Sequence, residues 1–348
     1  VAMNQFARGS RFIISRESLQ LEIQFYRYSS FSSASVRNTS SSTPKFPIPQ
    51  YEGESHAIPK VLIPAATLHQ DHLTEHRQLD IANALRPHFE SQTPLLLQNL
   101  ISNCDAIYFW HSLEYWRVAV GEDTPVEVEI GKSYNSGNRM PMRFGDYLNY
   151  LAVSMEQEGQ QQQDQQRVQA QKPQQTEQEV AYLAQNELFP QLNDIPIPQF
   201  CENGDYNVGE GQLYHKMLWM GPRHTVSPLH FDPLDNLLMQ VVGFKRVLLF
   251  PPDNHSGDAE DITKEIPSNR NGSNIPSWHY AGDNGNQYNT SAVDIENPDH
   301  NRFPDYSVLA PTPYECILGP GDVLYIPKKW WHHVRSLELS ISANVWWR

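Results

Sequence analysis

Two short segments hold residue types suited to transition-metal chemistry: His230-Phe231-Asp232, and Trp330-Trp331-His332-His333, which begins 100 residues after His230. Two imidazoles and one carboxylate are the ligand set of a non-haem Fe(II) facial triad, which leaves positions open for cosubstrate and oxygen. On an extended strand, residues i and i+2 share a face, so His230 and Asp232 can grip one ion together. The third ligand has to come from another strand. His332 and His333 both offer one, but strand neighbours face opposite ways, so only one of them can serve. Gly321-Asp322-Val323-Leu324-Tyr325-Ile326-Pro327 reads as the strand leading to them. Taken alone, His-x-Asp also fits a solvated surface pair that holds nothing.

A keto acid such as 2-oxoglutarate would fill two open positions, and its distal carboxylate would need a cation and hydroxyl donors. Lys245 lies fifteen residues after His230, on what reads as the next strand. An inward Lys without an anion is costly, so an inward Lys245 implies a ligand, whereas an outward one is simply solvated.

The elements that must position these residues are mostly strands. Leu237–Val242 ends at Gly243, and Val247–Phe250 ends at Pro251-Pro252. From 339 to 346, Leu, Ile, Ala and Val alternate with Ser340, Ser342, Asn344 and Trp346. Many short strands with turn signals predict a sandwich or barrel. Upstream, Pro125–Ile130 alternates as a half-buried strand. Residues 79–86 and 142–155 read as helices, the first ended by Pro87. Residues 157–178 hold twelve Gln and predict a polar loop with too little apolar surface to pack. Residues 253–291, rich in Asn, Gly and Ser, read as a second polar insertion on the surface.

Lys and Arg number 26 against 40 Asp and Glu, a net charge of −14. Residues 1–50 carry six Lys/Arg, two Glu and eleven Ser, which leaves 20 − 38 = −18 for the remainder. Such a body repels a phosphate backbone unless a basic patch intervenes. An Arg- and Ser-rich, acid-poor start is what an organellar transit peptide looks like. A disordered tail or a misplaced gene start, given Val1, is the alternative. Cys104, Cys201 and Cys316 are odd in number and widely spaced, which suits a reducing compartment. The expectation is thus an intracellular protein of mitochondrion or other organelle, otherwise of nucleus or cytoplasm. No run of 18 apolar residues exists to span a membrane.

Residues 180–348 resemble a Jumonji-C domain of the cupin superfamily, and most resemble the small Jumonji-C protein hydroxylases. The likeness is carried by Ala181–Gln185, Ser227–Pro233, Val293–Asp299 and Pro327–His332. Asp-Asn-Leu-Leu and Asn-Pro-Asp segments are also similar to those of the tRNA wybutosine hydroxylases. The resemblance implies a mainly β fold, a double-stranded β-helix or jelly-roll barrel with flanking N-terminal helices. Composition marks a leader at 1–50, disordered or a transit peptide, and the expected oxygenase domain is 51–348, with the polar insertions at 157–178 and 253–291. His230, Asp232 and His332, the first of the two adjacent histidines, would bind Fe(II). Lys245 would pair with 2-oxoglutarate, with Tyr134 and Ser227 as hydroxyl partners. Asn236 and Asn344 would line the same pocket, walled by Trp219 and Trp346. The alternation from 339 puts Asn344 and Trp346 on one face, in agreement. For the tryptophans, an ordinary aromatic core is the competing role.

The implied activity is Fe(II)- and 2-oxoglutarate-dependent hydroxylation of a protein or peptide side chain, with or without demethylation. A modified tRNA base is the second substrate class, and the acidic body weighs against it. A cupin that binds a ligand without turnover is the third reading.

Overall fold

The structure, a computed structural model, describes residues 43–49, 51–64, 74–131, 138–167 (side chains to 162), 180–187, 193–252, 278–282 and 288–348. Among the described residues the first elements are strands β1 (His56–Ala57) and β2 (Lys60–Leu62) and helix α1 (Glu75–Ser91). Next come β3 (Leu95–Gln98), α2 (Asp105–Phe109), α3 (Leu113–Val120) and β4 (Pro125–Ile130). They are followed by β5 (Arg139–Arg143), α4 (Phe144–Arg167), β6 (Ala181–Glu187) and α5 (Phe200–Asn203). The barrel strands are β7 (Leu213–Gly221), β8 (Val226–Phe231), β9 (Asp235–Val242) and β10 (Lys245–Phe250). After α6 (Pro304–Leu309) come β11 (Tyr314–Leu318), β12 (Val323–Ile326), β13 (Trp331–Ser336) and β14 (Ser340–Trp347).

A five-stranded sheet has the order β1-β11-β10-β13-β8, and a nine-stranded sheet the order β2-β3-β12-β9-β14-β7-β6-β4-β5. From β7 to β14 the chain crosses between sheets at every step except β10 to β11, which are antiparallel neighbours. This is the expected double-stranded β-helix. Between the sheets, Val247, Leu249, Leu318 and Val334 meet Leu238, Leu324 and Ile326. The intervening Leu248 and Phe250 pack on the other side, under Trp278, Val293 and Phe303. Both faces of β10 are therefore covered, which is why Val247 to Phe250 are continuously apolar rather than alternating. The helices cover the outer face of the larger sheet, with Leu85, Trp116 and Leu148 against Leu237, Met239 and Val345.

Four sequence expectations shift. Helix α1 does not end at Pro87 but runs on to Ser91. Phe89, beyond the proline, stacks near Tyr325 and Trp347, and this packing outweighs the one lost backbone bond. Helix α4 continues past 155 into the Gln-rich stretch, because Gln is a good helix former. Its Glu158 carboxylate accepts the backbone N–H groups of Arg223 (2.8 Å) and Leu339 (3.3 Å), a polar anchor where apolar surface is short. Residues 168–178 lie outside the described residues. The second insertion is not all surface: Trp278, Thr290 and Ser291 are buried. Residues 253–277 lie outside the described residues. Of the expected leader, 43–49 pack on the barrel, with Phe46 buried under the Arg223 guanidinium at 3.8 Å; 1–42 lie outside the described residues.

Candidate metal and cosubstrate site

Strand β13 pairs with β8 so that His332 lies opposite His230, and Trp331 opposite Phe231. Opposed residues of an antiparallel ladder project to one face. Both imidazoles therefore enter the barrel, with ring centroids 4.1 Å apart. Asp232 stands one residue past β8, its carbonyl fixed by the Lys329 N–H at 2.7 Å. The ligating atoms of His230, Asp232 and His332 lie within 4.8 Å of one another. His332 Nε2 is 3.6 Å from Asp232 Oδ2.

The second nitrogen of each ring decides what the first can do. His230 Nδ1 lies 2.7 Å from the Pro228 carbonyl and His332 Nδ1 2.9 Å from the Trp330 carbonyl. A carbonyl only accepts, so each Nδ1 carries the proton and each Nε2 keeps its lone pair for a metal. Burial, and then the neighbouring His230, hold the His332 imidazole down at about 4, so it is neutral at physiological pH. The donor set and its tautomers fit Fe(II). His333 points the other way, opposite Leu248 on the outer face, beside Glu296 and Arg335.

Asp232 Oδ2 accepts from Trp346 Nε1 at 2.8 Å and from Asn236 Nδ2 at 3.4 Å. Asn344 Nδ2 donates to Asn236 Oδ1 (3.2 Å), and Trp219 Nε1 donates to Asn344 Oδ1 (2.8 Å). Three residues expected to line the pocket, Trp219, Asn344 and Asn236, thus form one chain of hydrogen bonds ending on the carboxylate, and a fourth, Trp346, reaches it directly.

Lys245 is fully buried and opens β10, two strands after β8 in the chain rather than on the next one; β13 lies between them in the sheet. Its ammonium donates to Ser342 Oγ at 2.5 Å and Tyr182 Oη at 3.5 Å. Burial alone brings its basicity down to about 7. Ser227 reaches this group through Tyr182, with which it is hydrogen-bonded. A β-bulge between β8 and β13 turns Ser227 and His230 to the same side although they are three residues apart. Tyr134 lies outside the described residues.

Sequence reasoning missed Ser342, Tyr182, Glu129 and Asn289. Ser342 was readable, since it shares the alternating face of Asn344 and Trp346. Glu129 lies opposite Tyr182 across β4 and β6. Its Oε1 accepts from Arg139 Nε at 2.7 Å, while its buried Oε2 has no hydrogen-bond partner among the described residues. Glu129 lines an open cleft of about 330 Å³ with Glu127, Glu187, Arg139 and Ala184. Ala184 belongs to the same cluster as Tyr182, Trp219 and Trp346, so an aromatic path joins the cleft to Asp232. Asn289 clamps Phe231: its backbone carbonyl accepts the Phe231 N–H at 3.0 Å, and its Nδ2 donates to the Phe231 carbonyl at 2.9 Å.

The cupin-like domain family matches residues 82–348. The chain is 32% identical over 292 residues to lysine-specific demethylase JMJ30 of Arabidopsis thaliana, covering 82% of this chain and 57% of that protein. It is 31% identical over 306 residues to lysine-specific demethylase 8 of Xenopus tropicalis, covering 86% and 54%. It is also 31% identical over 161 residues to tRNA wybutosine-synthesizing protein 5 of Danio rerio, covering 46% and 39%. The chain spans about half the length of the first two of these curated relatives. The jelly-roll order, the two-histidine, one-carboxylate cluster and these likenesses converge, and the chain belongs to the cupin-like domain family of Jumonji-C type.

Proposed function

We propose that this protein is an Fe(II)- and 2-oxoglutarate-dependent oxygenase that hydroxylates a basic side chain of a protein substrate. The observation that carries this reading is Lys245. It is a fully buried amine whose hydrogen-bond partners among the described residues are hydroxyls, inside the barrel that holds the His230, Asp232 and His332 cluster. A buried cation without an opposite charge is costly. A dicarboxylate cosubstrate reaching from Lys245 to a metal would offset that cost.

In this reading His230, Asp232 and His332 hold the iron. When bound, iron and 2-oxoglutarate supply the oxidising power that inserts one atom of O₂ into a C–H bond, with succinate and CO₂ as co-products. The residues of the chain bind and orient. Lys245, Ser342 and Tyr182 receive the distal carboxylate, and the amides of Asn236 and Asn344 keep Asp232 in place. The basic class of substrate is supported by the cleft, where three carboxylates face one guanidinium and the Glu129 Oε2 awaits a donor. A long cationic side chain laid along Tyr182, Trp219 and Trp346 would reach from Glu129 towards Asp232. The names of the two demethylase relatives and the net charge of −14 support the same class.

The test is succinate release by iron-loaded protein offered lysine- and arginine-containing peptides, with mass spectrometry for an added oxygen or a lost methyl group. Glu129→Gln should raise KM for such peptides about tenfold while sparing KM for 2-oxoglutarate. Oxygen gained by a tRNA nucleoside instead, in an iron- and 2-oxoglutarate-dependent way, replaces the protein substrate with RNA. Binding without any succinate release leaves a non-catalytic cupin.

A further inference from the structure

We infer that Trp346 is a positioning residue for the metal carboxylate: its indole N–H fixes Asp232 so that the carboxylate takes one coordination position rather than two. The inference rests on the reading of His230, Asp232 and His332 as metal ligands.

Two N–H groups converge on one oxygen of Asp232, from Trp346 at 2.8 Å and from Asn236 at 3.4 Å. Both donors come from one place in the fold, since Trp346 of β14 and Asn236 of β9 are register partners. Neither is free to turn away. The Asn236 amide is oriented by Asn344, whose own amide is oriented by Trp219. The Trp346 ring packs against the cluster of Tyr182, Ala184 and Trp219. A carboxylate held on one oxygen by two such donors cannot rotate to offer both oxygens symmetrically to an ion. A facial triad depends on that economy, because every further position taken by protein is lost to cosubstrate or oxygen. Indole suits the task, being a donor only: it holds the carboxylate and cannot compete for the metal. Outer donors of this kind are worth ~10–100-fold in metal affinity.

The test is Trp346→Phe, which keeps an aromatic ring and removes the N–H. Mn(II) affinity of the 2-oxoglutarate-free protein is measured by isothermal titration, and visible absorption of the Co(II) complex reports the ligand field. Trp346→Phe should weaken Mn(II) binding ~10–100-fold and shift the Co(II) bands, with the melting temperature of the metal-free protein unchanged. Asn236→Ala, which loses the longer bond, should weaken binding less. If the Phe protein does not fold, β-(3-benzothienyl)alanine incorporated at 346 keeps the indole shape and deletes only the N–H. Mn(II) affinity and Co(II) spectrum equal to those of the unsubstituted protein overturn the inference. If the unsubstituted protein itself binds no Mn(II), the ligand reading fails, and the inference with it.

Discussion

The two faces of the five-stranded sheet both bury titratable side chains, and they treat them in opposite ways. On the outer face, permanent charges meet their opposites. Arg246 Nε donates to Glu315 Oε1 at 2.7 Å, and the Arg335 guanidinium grips both oxygens of Glu296. Burial pulls the Glu296 carboxyl up most strongly, but the Arg335 hydrogen bonds and the charges of His333, Arg335 and Arg246 together outweigh it, and the group sits below its ordinary value. On the inner face, the Lys245 amine meets hydroxyls only among the described residues, and burial brings it down to about 7. His332 and His333 are the controlled case. They are neighbours, both buried, and both held at about 4, in each case by burial first. Among the described residues, only His332 belongs to a three-residue cluster that could hold an ion, whereas His333 sits beside Glu296, which Arg335 already grips. Depressed basicity and burial therefore do not mark a site here. Donors that converge without being neutralised do.

The sharpest way to break this contrast is to cut each face in turn. Asp232→Ala removes the one carboxylate of the inner cluster and should abolish Fe(II)-dependent 2-oxoglutarate turnover and Mn(II) binding, while circular dichroism stays native. His332→Ala should do the same. His333→Ala should leave Mn(II) affinity nearly unchanged and cost only stability, about 1–2 kcal/mol for a buried polar group. The reverse order for the two histidines would move the ligand by one residue.

A second pair of substitutions should move stability in opposite directions. Lys245→Met replaces a buried cation that has no opposite charge among the described residues by an apolar side chain of similar length. The protein without cosubstrate should then gain on the order of 1 kcal/mol, as replacement of buried charge by apolar volume can do. KM for 2-oxoglutarate should rise about tenfold or more, because the charge-assisted bond is lost. Glu296→Gln strips the half-buried Arg335 of its countercharge and should destabilise by about 1–2 kcal/mol without changing either affinity. Thermal melts with and without 2-oxoglutarate read both effects. A loss of stability in Lys245→Met would mean that the amine is held for structure and not for a ligand.

How much of this was legible in the sequence depended on range. Apolar runs and period-two patterns are local, so β9 and β10 could be read from the first and β14 from the second, as could the shared face of His230 with Asp232 and of Asn344 with Trp346. Spacing alone left His332 and His333 open, because either choice satisfies strand alternation. What settles the geometry is register: β13 sets His332 against His230 across the ladder. Ser227 faces inward only through a bulge, which no alternation rule contains. Tyr182 and Glu129 meet across β4 and β6, strands more than fifty residues apart in the chain. The polar composition of 253–291 concealed Trp278 and Asn289, whose contacts depend on strand β8 and on Trp331. Long-range pairing is a property of the folded topology, and one-dimensional patterns carry it only through family likeness.

The smallest expected effect is the most specific to the inner face, because only an un-neutralised amine titrates near neutrality. Its folded value of about 7 lies below its ordinary value of 10.5. Between these values the unfolded chain holds more protons than the folded one, so unfolding free energy rises with pH across that window. The burial penalty is complete below about 7 and fades as pH approaches 10.5. A dicarboxylate makes the opposite demand, since it needs the ammonium form, while its own carboxylates stay ionised throughout this range. From pH 7 to pH 8 the protonated fraction of such an amine falls about fivefold, and affinity for 2-oxoglutarate should fall with it. Isothermal titration of 2-oxoglutarate into Mn(II)-loaded protein from pH 6 to pH 8.5 measures this directly. Lys245→Met should bind weakly with a flat profile, and Glu296→Gln should keep the slope of the unsubstituted protein. A flat profile in the unsubstituted protein would assign the carboxylate to another partner and remove Lys245 from the site.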